Sequence, residues 1–88
     1  MLYMVIERWA EDTVEQVGKR FEQYGRHMPE GVSYVASWVD AKNLRCFQVM
    51  EAESRALLDE WISHWDDLVH FEVVPVVTSK EFWEARDR

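Results

Sequence analysis

Two segments whose apolar residues recur at the helical period each stand between runs of strand-forming residues, and a short helical tail closes the chain. The order is strand, helix, strand, strand, helix, strand, helix. Few folds satisfy it, because each strand–helix–strand unit needs a right-handed crossover and both units must share one sheet. At 88 residues the chain is expected to form one domain, residues 1–88. A domain of this size hides only about 60–65% of its unfolded surface, so its core is thin and self-association is expected.

Leu2 to Arg8 is apolar and β-branched and reads as a strand. Asp12-Thr13-Val14-Glu15 offers a capping box, from which Val14, Val17, Phe21, Tyr24 and Met28 run as one helical stripe until Pro29-Glu30-Gly31. Val32 to Asp40 and Leu44 to Glu51 form a hairpin around Asp40-Ala41-Lys42-Asn43. A one-residue slip in its register would exchange the two faces, leaving open whether Cys46 lies beside Trp38 or Ser37. Ser54 caps a second helix with Leu57, Leu58, Trp61, Ile62 and Trp65 on its apolar face, closed by Asp66-Asp67. Val69 to Val77 is the last strand, where Pro75 points to an edge or a bulge. Thr78 and Glu81 cap the tail, which carries Phe82 and Trp83.

Two strand–helix–strand halves joined by a hairpin make a ferredoxin-like α+β domain, a four-stranded antiparallel sheet with both helices on one face. The other face is left bare. Rich in Val, Tyr, Trp and Met, it exceeds the apolar patch that monomers tolerate, so it is expected to meet its own copy in a homodimer. Five tryptophans, four phenylalanines and three tyrosines in so short and charged a chain argue the same way.

The net charge of −7 and the scattered basic residues argue against nucleic acid or an anionic membrane as partner. Glu51 to Glu72 holds seven acidic residues against Arg55 alone. The opening Met1-Leu2-Tyr3-Met4-Val5-Ile6 is too short and lacks a basic lead for a signal peptide, and no apolar run approaches bilayer length. A single cysteine excludes an intrachain disulfide and suits the cytoplasm. Phosphate-binding glycine loops, nucleophile elbows, paired-cysteine zinc motifs and calcium-loop spacing are all missing, so no cofactor is expected.

The stretch from Gly31 to Asp40, then Arg45 to Glu51, Leu57 to Ile62 and Phe71 to Val77, resembles a family of short bacterial proteins of unknown function. That family looks like a member of the dimeric α/β-barrel superfamily. The resemblance implies two sheets packed face to face as a barrel. The superfamily includes cofactor-independent oxygenases, muconolactone isomerase-like enzymes and haem-handling enzymes that use a cavity between sheet and helices. No motif residue from those groups can be placed on this sequence, so an enzymatic reading rests on fold analogy.

The candidate site residues each have a plainer reading. His70 and Glu72 alternate along the last strand and point the same way, which suits an acid/base pair or two hydrated strand-end residues, and supplies too few ligands for a metal. Cys46 and Gln48 share a face of the third strand, and a glutamine among Phe47, Val49 and Met50 needs a ligand or a cross-strand partner for its amide. Tyr34 and Trp38, read as sharing a face of the second strand, suit a pocket for a flat molecule or a dimer seam. Trp61 and Trp65 read as the face packed on the sheet, with His64 on its margin.

The expected function is binding a small apolar or aromatic molecule in a cavity lined by Tyr34, Trp38, Cys46, Gln48, His70 and Glu72. As an enzyme the protein would be a cofactor-free oxygenase or isomerase, with His70 as base in contact with the cavity and Gln48 or Tyr34 holding an oxyanion. The alternative is an interaction protein whose aromatics bind subunits together. A void of roughly 300 Å³ or more with convergent polar groups separates the two.

Overall fold

The computed structural model describes residues 1–87. The strands are β1 (Leu2–Trp9), β2 (Val32–Asp40), β3 (Arg45–Ala52) and β4 (Val69–Val76), and the helices α1 (Val14–Tyr24), α2 (Arg55–Ser63) and α3 (Ser79–Arg86). The strands form one antiparallel sheet in the order β2-β3-β1-β4, the ferredoxin-like arrangement expected from the element order. Pro75 is tolerated because β4 is an edge strand.

Strand alternation assigns the two faces. Tyr3, Val5 and Glu7 of β1 and Cys46, Gln48, Met50 and Ala52 of β3 are buried on the helix side. Leu2, Met4, Ile6, Phe47 and Val49 lie on the other side, half-buried in the single chain. Gln48 pairs with Ser37 and Cys46 with Val39, which settles the hairpin register and puts Cys46 on the face shared with Ser37. Asp40 sets the turn. Its carboxylate accepts from the amides of Lys42 and Asn43 and from the side chains of Asn43 and Arg45. Those bonds, the Asn43 side chain first, hold its carboxyl down to about 2.

The expectation that Tyr34 and Trp38 share a face is corrected by a bulge. Tyr34 pairs with Met50 but Ala36 with Val49, so Val35 is the extra residue and the alternation of β2 reverses there. Tyr34 faces the helices, whereas Trp38, opposite Phe47 and 61% exposed, faces away.

The helices differ in how they are held. Ser54 Oγ accepts from the Leu57 amide at 3.3 Å to start α2, which buries Leu58 and Trp61 against the sheet. Each buried side chain of that size contributes about 1.5–3 kcal/mol. The ring of Trp61 meets Phe71 edge to face at 5.7 Å. By contrast, α1 buries no residue. The Asp12–Glu15 capping box does not form there: residues 10–13 make a turn in which the Thr13 and Val14 amides donate to the Ala10 carbonyl, and Thr13 becomes the cap residue. Helix α1 stops at Tyr24 because Gly25 turns left-handed, so Met28 of the expected stripe falls outside it. Arg20 ties α1 to the end of α2, donating to both Asp67 carboxylate oxygens at 2.6 and 2.8 Å and to the His64 carbonyl at 2.8 Å. Thr78 caps α3 as expected, with its Oγ1 accepting from the Glu81 amide at 3.1 Å.

Candidate functional site

Because α1 is held by Arg20 and buries no side chain fully, with Val17 only partly buried against the core, a cavity of about 330 Å³ remains between it and the sheet. Its floor is polar: Glu7 from β1, Ser37 from β2, and Cys46 and Gln48 from β3. Trp9, Trp61 and Trp65 wall it, and Val14, Val17 and Phe21 of α1 form its roof. Gly18 borders the mouth, and Arg26 follows α1 at one end.

Glu7 is 8% exposed and stands opposite Cys46. Its one hydrogen bond among the described residues comes from the Trp9 indole at a long 3.4 Å. Burial pushes its carboxyl above the ordinary range, against the opposing effects of that bond and the Arg26 charge. Cys46 is pushed up to about 11, chiefly by burial and then by Glu7, so it is a neutral thiol at physiological pH. Gln48 is buried, and among the described residues its amide nitrogen meets the Met50 thioether at 3.0 Å, a weak acceptor. Among the described residues, nothing hydrogen-bonds its amide oxygen.

Arg26 is built in through its backbone. Its carbonyl accepts from the indoles of both Trp61 and Trp65, at 2.9 and 3.0 Å. Its guanidinium lies 3.6 Å over the Tyr34 ring and 5.3 Å from the centre of Phe21. Among the described residues, no carboxylate is in ion-pair contact with it.

The sequence-nominated residues therefore divide. Cys46 and Gln48 line the cavity. Tyr34 supports it from behind, stacked on Arg26 and sharing a hydrogen bond of 2.8 Å with Ser37. His70 and Glu72 do point the same way, but opposite Arg8 and Ile6 on the far face of the sheet, with Glu72 3.6 Å from Arg8. The expected contact between the cavity and His70 does not occur. Trp38 shares that far face. His64 stacks edge-on with His27 at 4.1 Å outside the cavity. No three His, Cys, Asp or Glu residues cluster as a metal site among the described residues.

Glu7 and Arg26 were not singled out in the sequence. The signal for Glu7 was its two-residue spacing from Tyr3 and Val5, which puts it on their buried face. Arg26 had none, since its position depends on where α1 ends.

The fold and cavity define a class: a ferredoxin-like α+β domain with a ligand-sized, aromatic-walled chamber between its sheet and first helix. The chain belongs to the family described as Domain of unknown function (DUF3303), whose model matches residues 1–88. No curated protein and no solved structure matches the chain. No helix among the described residues is long and apolar enough to cross a membrane.

Proposed function

We propose that the protein is a homodimer that binds a small, flat, largely apolar organic molecule between its sheet and α1. The cavity carries this reading. Its volume of about 330 Å³ falls within the range of small-molecule sites, and it combines aromatic walls with a few convergent polar groups. Gly18 supports it: a glycine within a helix costs about 1 kcal/mol relative to alanine, and here it keeps the mouth of the chamber free of a side chain. Gln48 supports it too, as a polar amide set in the lining of an otherwise largely apolar chamber.

Dimerisation rests on the other face. Met4, Ile6, Phe47 and Val49 form an apolar centre there, with Trp38 and Val74 exposed beside it. The Arg8–Glu72 and Arg45–Asp40 pairs lie on the same face, an apolar core with charged neighbours typical of interfaces. His70, Glu72 and Trp38 would then serve the seam and not the chamber. A lone reduced cysteine fits a cytoplasmic setting.

The test titrates the protein with a panel of flat aromatic compounds, neutral and acidic, following tryptophan emission. Saturable quenching by at least one compound, lost in Gly18→Leu, is the expected result. No saturable response across the panel refutes ligand binding. Sedimentation velocity checks the assembly: a folded 10.6 kDa particle at high micromolar concentration refutes the dimer, and Phe47→Glu is expected to produce that particle.

A further inference from the structure

The polar end of the chamber has an imbalance that selects its ligand. Arg26 offers a forked set of donors with no acceptor among the described residues in ion-pair contact, and stacking on Tyr34 holds the fork in place. Glu7 is 8% exposed, with one long hydrogen bond among the described residues, few partners for an ionised carboxylate. The two groups face the same space without pairing with each other. Resting on the ligand-binding reading above, we infer that the chamber takes a flat aromatic carboxylic acid as its anion, the carboxylate meeting Arg26 and accepting a hydrogen bond from a protonated Glu7, with the ring between Trp9, Phe21 and Trp61.

The charge balance follows. An entering carboxylate supplies the acceptor that Arg26 lacks, in a charge-assisted bond that is strongest where water is scarce. It would repel a second negative charge at Glu7, so Glu7 takes a proton from solvent as the ligand arrives: a carboxyl O–H bond forms and the proton is donated towards the ligand oxygen. Burial already disposes Glu7 that way. Among the described residues, the other charged or titratable groups facing Glu7 are Arg26 and the neutral thiol of Cys46. The strand partner Phe71, the facing positions of α1 and the tryptophans bring none. The net charge of −7 opposes an anion only at long range, where salt screens it over about 8–10 Å.

The experiment compares 2-naphthoate with its neutral isostere 2-naphthamide by titration calorimetry, in two buffers of different ionisation enthalpy and from mildly acidic to mildly alkaline pH. For naphthoate the expected result is uptake of about one proton per ligand above the pH where free Glu7 ionises, with affinity falling about tenfold per pH unit there. Arg26→Gln keeps the backbone carbonyl that anchors both indoles, so the fold survives. It is expected to weaken naphthoate about 10- to 100-fold, the loss of one charge-assisted interaction, and to weaken naphthamide, whose neutral carbonyl accepts only an ordinary hydrogen bond, by clearly less. Glu7→Gln should bind naphthoate without proton uptake. Naphthamide binding as tightly as naphthoate, with no proton uptake for either, overturns the acid assignment and leaves the chamber standing. Failure of both probes, together with no response across the wider aromatic panel, removes the chamber reading and this inference with it.

Discussion

Gly18 is where stability and binding should move in opposite directions. A Cβ built on it meets nothing within 4 Å, and it lies in the interior of α1 at the mouth of the chamber. In Gly18→Ala the helix gains about 1 kcal/mol of propensity with no clash to offset it. For a domain of this size that corresponds to a melting temperature about 4–8 °C higher. Gly18→Leu keeps nearly all of that propensity, and its isobutyl group covers apolar surface of Val14, Val17 and Phe21 for a further gain of up to about 1 kcal/mol. The same group occupies the space a ligand needs. Thermal melts by circular dichroism and the fluorescence titration, run on one preparation, should therefore show a stabilised variant that no longer binds. If Gly18→Leu binds with unaltered affinity, the chamber is not the site. If both variants melt below the parent, α1 does not sit as described.

Glu7→Gln should stabilise the protein only where the carboxylate would ionise. Because its carboxyl is raised when folded, stability is fully present below the ordinary value of 4.5 and falls as pH rises through the folded value. Urea melts should accordingly show variant and parent converging in acid and the variant ahead at neutral pH, and parallel curves would contradict the burial argument. Asp40 has the opposite sign: with a carboxyl lowered from 3.8 to about 2, its contribution is present above the former and lost towards the latter. Asp40→Ala should lower the melting temperature at neutral pH and flatten the parent's loss of stability over that acid interval. Gly31→Ala should cost about 1–3 kcal/mol in urea denaturation, since φ is +92° and the new Cβ would sit 2.7 Å from Leu57 Cδ1. A cost near zero would show that the segment relaxes freely.

The fold was legible because its signals are periodic and redundant. Runs of apolar and β-branched residues marked four strands, Ser54 and Thr78 announced α2 and α3 by cap chemistry that the structure reproduces, and Pro75 pointed to an edge or a bulge, of which β4 takes the edge. The misreadings came from single-residue events. Asp12 and Thr13 are both competent caps, and the Ala10 carbonyl, accepting two amides, decided between them. Val35 bulges out of β2 and reverses the face of everything after it, which no alternation count over Val32 to Asp40 can register.

The site was less legible for a related reason. A strand residue's role depends on which face the helices cover, and that parity is fixed by the packing of α2 and not by the strand itself. Once Leu58 and Trp61 seat α2 over Met50 and Ala52, the odd positions of β1 face inward with Glu7 among them, while the even positions of β4, His70 and Glu72, face outward. Histidine drew attention because it titrates near neutrality, yet it stands in the open on the far face. The buried carboxyl is instead a glutamate at the end of an apolar strand, Glu7, lining the chamber under α1. The same loose packing of α1 that leaves the chamber open also leaves Arg26 and Glu7 lining it without an ion-pair partner among the described residues, so neither could be read from β1 or α1 alone.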